Sequence, residues 1–208
     1  MTLKTNLINI VLVGDNFPSQ SIKVSDFTFR GRQFDEKLRV GPALQATSRN
    51  VTLTALPDRF ECAVAEPDNL SIQVQGIAEV VAVFQEYVGR RSVRQVGHNA
   101  QFLVPPTTHE AMIRALVRFD VASQVLGADI EHRGAVVLHL RVEGASYGRL
   151  TLNETESGGV MDFNFHYNLD ELDGGVVDTL SQLLGNLTRA NEVAQAMSEL
   201  PTRTRVAT

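Results

Sequence analysis

From Gly134 to Leu200, three segments of alternating hydrophobicity run in series and lead into one long amphipathic stretch. That order restricts the chain to folds in which a helix lies on an antiparallel sheet. Val136, Leu138, Leu140 and Val142 fall on one side of the first segment, and Val137, His139 and Arg141 on the other. This is the period-two pattern of a half-buried strand. Gly144-Ala145-Ser146 turns the chain, Leu150 and Leu152 face inward on the return, and the polar stretch Glu154 to Gly159 reverses it again. Met161, Phe163, Phe165 and Tyr167 then alternate with Asp162, Asn164, His166 and Asn168. The three segments predict a meander that is apolar on one face and polar on the other. Asp170 or Asp173 is suited to cap the helix that follows, in which Val176, Leu180, Leu183, Leu184 and Leu187 form a stripe of helical period. Val193, Met197 and Leu200 continue the stripe beyond what the meander can cover, which makes them interface candidates.

The first half repeats this order of strands before a helix. Asn6 to Val13 is apolar, Ile22 to Phe29 reads as a strand with a bulge near Ser25-Asp26, and Val51–Ala55 with Phe60–Val64 reads as a hairpin. Leu70, Ile72 and Val74 alternate as a further strand before an amphipathic helix over residues 76–90, and residues 93–104 form a long strand. Thr107 and Glu110 have capping-box spacing at the start of the next helix. Gly31 to Ser48 is long, charged and irregular, and reads as a mobile partner-binding loop with Phe34 and Leu38 as its apolar anchors. The expected organisation is α+β: a β-rich lobe over residues 1–104, a helix, meander and long helix over 105–200, and a flexible tail over 201–208.

Apolar residues make up 43% of the 208 positions and charged residues 21%, which fits a folded chain with a sizeable core. A net charge of −5 counts against nucleic acid as a general partner. The single cysteine, Cys62, alternates with Phe60 and Val64 and reads as a buried, inert thiol in a reducing compartment, so a cytoplasmic location is expected. No run of apolar residues is long enough to span a membrane.

The motifs of familiar chemistry are missing: no glycine-rich phosphate loop, Gly-x-Ser-x-Gly, His-Glu-x-x-His or Cys-x-x-Cys occurs. His139, Arg141, Asp162 and His166 share the polar face of the meander and are the candidate ligand-binding set, with His166 as acid–base group and Asp162 as its partner. The more ordinary reading is a solvated outer face. Arg90, Arg91 and Arg94 form the densest basic cluster and a second, anion-binding candidate, against the ordinary reading of helix-end electrostatics. His98, in register with Val96 and Ala100, reads as a buried, hydrogen-bonded histidine. Neither a catalytic residue, a cofactor nor a metal site is expected from these patterns.

The strand Arg94-Gln95-Val96-Gly97-His98-Asn99, the late Asn164-Phe165-His166-Tyr167 and the leucine-rich C-terminal helix resemble a sporadically distributed family of uncharacterised bacterial proteins. The likeness implies no reaction, and it points to a bacterial or phage protein. The reading that follows is a binding or assembly protein, more a non-enzyme than an enzyme, whose partner is another protein or a second copy. A small-ligand or anion-binding protein on the polar face is the alternative, and a nucleic-acid accessory protein the third reading.

Overall fold

The structure, a computed structural model, describes residues 3–88, 92–117, 135–141, 145–171 and 175–204. Nine strands form one antiparallel sheet in the order β4-β5-β6-β7-β1-β8-β11-β10-β9. These are β1 Lys4–Gly14, β4 Asp35–Val40, β5 Ala43–Ser48, β6 Val51–Ala55, β7 Arg59–Ala65, β8 Val93–Val104, β9 Ala135–Leu140, β10 Tyr147–Thr155 and β11 Gly158–Asn168. A separate small hairpin joins β2 Thr28–Phe29 to β3 Arg32–Gln33. Helices α1 Leu70–Val88, α2 Pro106–Leu116 and α3 Gly175–Thr204 complete the α+β fold.

The alternation of each strand places its apolar set on one side. Ile8, Ile10 and Leu12 of β1, Phe60, Cys62 and Val64 of β7, and Met161, Phe163, Phe165 and Tyr167 of β11 are buried there. The apolar stripes of the helices close over them: Ile77, Val80, Val81 and Phe84 from α1, and Val176, Leu183, Leu187, Ala190 and Ala194 from α3. The Phe84 ring lies on Phe60 at 3.9 Å between centroids and meets Phe17 edge-on at 5.1 Å. Burial of about 25 cal/mol per Å² of apolar surface makes this layer the main source of stability.

The two halves have the same strand order. Each begins with one long strand (β1, β8), crosses through short helical segments, runs an antiparallel meander, and ends on a long helix; in each, the last meander strand pairs with the first strand. The two first strands pair antiparallel at the centre of the sheet, with Asn9 opposite Asn99. Following the pairing outward makes Glu61 of β7 the counterpart of Asp162 of β11, and Thr52 of β6 that of Arg149 of β10. The arrangement is a pseudo-twofold repeat about the β1–β8 pair, and β4 has no counterpart among the described residues of the second half.

Several sequence expectations are corrected. Gly31 to Ser48 is not a loop: it contains β3, β4 and β5. Its mixed charge is that of an edge strand, since every residue of β4 is exposed. Phe34 is buried at 5% exposure and so belongs to the core rather than to an interface. Residues 70–75 are helical, so the first helix starts at Leu70 rather than 76. The Ile72 N–H donates to Asn69 Oδ1 at 3.2 Å, and the side chain of Ile72, expected at a strand position, is left exposed. Ile22 to Phe29 forms one 3₁₀ turn, Val24–Asp26, and the short β2 instead of a bulged strand. At α2 the expected capping box does not form; Pro105 caps the helix, Pro106 is its first residue, and Glu110 pairs with Arg114 at 2.9 Å. The distal part of α3 does not protrude. It folds back on the N-terminal strand, where Gln195 Nε2 donates to the Leu3 carbonyl at 3.0 Å, Met197 is buried at 8% exposure, and Val193 is half-buried. The helix runs to Thr204, into the expected tail. Arg90, Arg91, Gly144, Asp173, the segment Asp120 to Gly127, the side chain of Leu200 and the end of the tail lie outside the described residues.

Candidate binding face

Among the described residues, the three helices leave one side of the sheet bare, and directly paired residues of an antiparallel sheet point to the same side. One cross-strand row on the bare side runs Leu38, Gln45, Thr54, Glu61, Val11, Gly97, His166, Tyr147. The next runs Asp35, Thr47, Thr52, Ala63, Asn9, Asn99, Asn164, Arg149, His139 and crosses all nine strands. A face nine strands wide measures roughly 38 Å at the usual strand spacing.

Two hydrogen-bonded ladders of amides hold the middle of this face. Asn164 donates to Asn99, Asn99 donates to Asn9 at 2.5 Å, and Asn9 donates to Glu61 at 2.5 Å, whose other oxygen takes Arg59 at 2.9 Å. In the second ladder Asn6 donates to Gln101 at 2.5 Å and Gln101 to Asp162 at 2.9 Å; Asn153 reaches the other Asp162 oxygen at 3.0 Å. Each ladder ends on a carboxylate, and the two carboxylates, Glu61 and Asp162, are the pseudo-twofold counterparts of one another. A terminal carboxylate only accepts, so it fixes which way every amide in its ladder points.

Around the ladders lie large apolar side chains. Six such residues are exposed among the described ones, and five of them are on this face: Leu38, Val40, Leu103, Val137 and Tyr147, at 45–62% exposure. Only Leu38 stands out in the sequence. Leu103, Val137 and Tyr147 carry a readable signal all the same, because each is a large apolar residue at the polar parity of an alternating strand.

The polar candidates separate. His139, Asp162 and His166 do share the bare face, and exposed Arg141 follows β9. His166 stacks on Tyr147 with centroids 4.6 Å apart, and burial lowers its pKa. Asp162 lies four residues along the same strand, roughly 13 Å away at 3.3 Å per residue, and both its oxygens are taken by Gln101 and Asn153. An acid–base pair of His166 with Asp162 is therefore not formed. His139 is separated from His166 by β10, and it faces Arg149. Exposed Arg94 forms an ion pair with Asp15. Among the described residues no group of three or more His, Cys, Asp or Glu converges as a metal site.

The helix-covered side holds its own polar cluster. His98, fully buried beside Tyr167, has its Nδ1 3.0 Å from Asn186 Nδ2, and the same amide nitrogen donates to the Tyr167 hydroxyl. With Nδ1 as the acceptor, the ring proton sits on Nε2, which has no partner among the described residues. Desolvation pushes the His98 pKa down to about 3 and the Cys62 thiol up to about 12. Both groups are thus uncharged at neutral pH, and Cys62 is held as an unreactive thiol.

No protein family and no curated protein matches the chain. Solved structures superpose weakly, two of them as follows. DynU16, a protein from the dynemicin biosynthetic locus, gives a TM-score of 0.30 at 9% identity, over 81% of this chain and 79% of its own. The di-domain ARO/CYC StfQ from the steffimycin biosynthetic pathway gives 0.30 at 10% identity, over 97% and 99%. No helix among the described residues is long and apolar enough to cross a membrane.

Proposed function

We propose that this chain is a non-enzymatic binding protein that assembles through the helix-free face of its sheet against a second protein surface, in the first instance a second copy of itself. The observation that carries this reading is that Leu38, Val40, Leu103, Val137 and Tyr147, five of the six exposed large apolar residues among the described ones, all lie on this face. They are spread from β4 to β9 rather than joined in one patch, so a partner that buries them together must span the sheet. The width of the face suits a macromolecule better than a small ligand. Satisfied amide ladders between the apolar residues can be covered by a partner without orphaning a polar group. The net charge of −5 favours protein over nucleic acid as the occupant.

Each of the five side chains is about half exposed, so its burial contributes about 1 kcal/mol. Five together support a weak or moderate interface once the cost of association is met. Sedimentation analysis across the micromolar range is expected to show mass rising with concentration. Val137→Asp with Tyr147→Asp, on the outer strands of the face, is expected to return the chain to a monomer with its circular dichroism unchanged. A monomeric mass at tens of micromolar, the same for parent and variant, defeats self-assembly through this face.

A further inference from the structure

On the other side of the molecule a cavity of about 330 Å³ opens where three short connections of the first half meet the start of α1. The β2–β3 turn brings Arg30, with Arg32 following it, the β5–β6 turn brings Arg49, the exit from β7 brings Glu66 and Asp68, and α1 brings Gln73. Three arginines therefore line one small volume, and none of them forms an ion pair among the described residues. Both carboxylates are engaged. Glu66 takes Lys4 at 2.9 Å, while Asp68 Oδ1 accepts from Gln73 Nε2 at 2.5 Å and from the Asn69 N–H at 2.8 Å.

Two features say that this wall is built for something. Arg30 and Arg49 have φ of 53° and 56°, each at the first position of a two-residue hairpin turn. Gly, Asn or Asp takes that position without strain, and arginine does not. Left-handed non-glycine residues are expected where their side chains have work to do. Gln73 is the second feature. It is buried at 4% exposure, and its Oε1 has no hydrogen-bond partner among the described residues. The bonds from Gln73 and the Asn69 N–H, with Arg30 nearby, hold the Asp68 carboxyl below its usual range. An ionised Asp68 only accepts, so it keeps the amide turned with Nε2 toward itself and leaves Oε1 in need of a donor.

We propose that this cavity binds a phosphate monoester carried on a small hydroxylated skeleton, with Arg30, Arg32 and Arg49 taking the phosphate and a skeleton hydroxyl donating to Gln73 Oε1. A dianion answers three unpaired guanidinium groups better than a carboxylate does, and the guanidinium fork matches phosphate oxygens. The volume is at the lower end of small-molecule sites, which fits a sugar phosphate rather than a larger cofactor. The hydroxyl supplies a donor, which neither the Asp68 carboxylate nor the phosphate held by the arginines can offer to an acceptor oxygen.

The test is calorimetric titration at low ionic strength with ribose 5-phosphate, inorganic phosphate and ribose, beside thermal melts of the same proteins. Ribose 5-phosphate is expected to bind below millimolar concentration, inorganic phosphate at least about tenfold more weakly, and ribose not at all. Arg30→Gly and Arg49→Gly relieve the strained turns, so each is expected to keep or raise Tm while weakening ribose 5-phosphate at least about tenfold. Gln73→Met is expected to bring ribose 5-phosphate to the affinity of inorganic phosphate. Absence of binding by the folded parent, or binding unchanged in the Arg30→Gly/Arg49→Gly double variant, overturns the site. Equal affinity of the parent for ribose 5-phosphate and phosphate overturns the role of Gln73.

Discussion

His98 shows how a single side chain can tie the fold to pH. Its position in the apolar register of β8, between Val96 and Ala100, makes its burial legible in the sequence, but nothing there points to Asn186 and Tyr167, which reach it from other elements. The folded ring has its pKa lowered to about 3 by burial, whereas an unfolded histidine takes up its proton near 6.5. Between those values the unfolded chain binds one proton more than the folded chain, so stability falls as the pH falls. The loss begins below about 6.5 and is complete near pH 3; at pH 5 it amounts to about 2 kcal/mol. His166, also lowered by desolvation, adds to the loss in the same direction. Urea unfolding at pH 7 and pH 5 is expected to show this difference, and His98→Gln to shrink it. An equal midpoint shift in parent and His98→Gln would show that His98 does not carry the effect. Asp162 illustrates the opposite limit of legibility: its parity put it on the correct face, but its commitment to Gln101 and Asn153 depends on pairing across three strands, which no local pattern encodes.

At the scale of elements, the C-terminal meander is readable because each of its strands alternates cleanly, so periodicity alone gives both the strands and their buried faces. The first half is harder. Leu70, Ile72 and Val74 alternate by chance at the start of a helix whose buried positions, Gln73, Gly76, Ile77, Val80, Val81 and Phe84, have helical spacing but include a glutamine and a glycine. Edge strand β4 is charged on both faces, and Arg39, which also pairs with Glu36 of the same strand, ties it down through the Ile22 carbonyl at 3.0 Å, a contact invisible in sequence. Gly76 is where α1 comes closest to the β2 hairpin: a Cβ there would meet the Phe29 ring at 2.7 Å. Ordinarily Gly→Ala inside a helix is worth about 0.5–1 kcal/mol in favour of alanine. At Gly76 the clash is with a buried ring that is itself packed, so we expect the sign to reverse. Gly76→Ala should lower Tm, whereas Gly185→Ala in α3, where a Cβ meets nothing within 4 Å, should raise it. Thermal melts of the two variants check this, and a rise in both would mean that Phe29 yields without cost.

The repeat belongs to the whole molecule and is hidden from the sequence for a structural reason. Corresponding residues are displaced by different amounts in different strands, as the pairs Asn9 with Asn99 and Glu61 with Asp162 show, because the connections differ in length. No constant period exists to be found, and apolar counterparts such as Cys62 and Phe163 share only their burial. What binds the halves is the β1–β8 pair, where Ile8, Ile10 and Leu12 lie against Ala100, His98 and Val96 beneath helices from both halves. The N-terminal segment is held in turn by α3 through the paired bonds of Gln195 with Leu3. Parting the halves would expose the centre of the core and the polar edges of two central strands, which buried sheet does not tolerate. The chain should therefore unfold as one unit despite its internal repeat. Scanning calorimetry is expected to give a single transition whose van't Hoff and calorimetric enthalpies agree. Ile10→Ala in the first half and Phe163→Ala in the second, each expected to cost about 2–5 kcal/mol, should shift that transition as a whole. Two resolved transitions, or a variant that moves only part of the heat absorption, would mean that each half is stable without the other and that the central pair is an interface between domains.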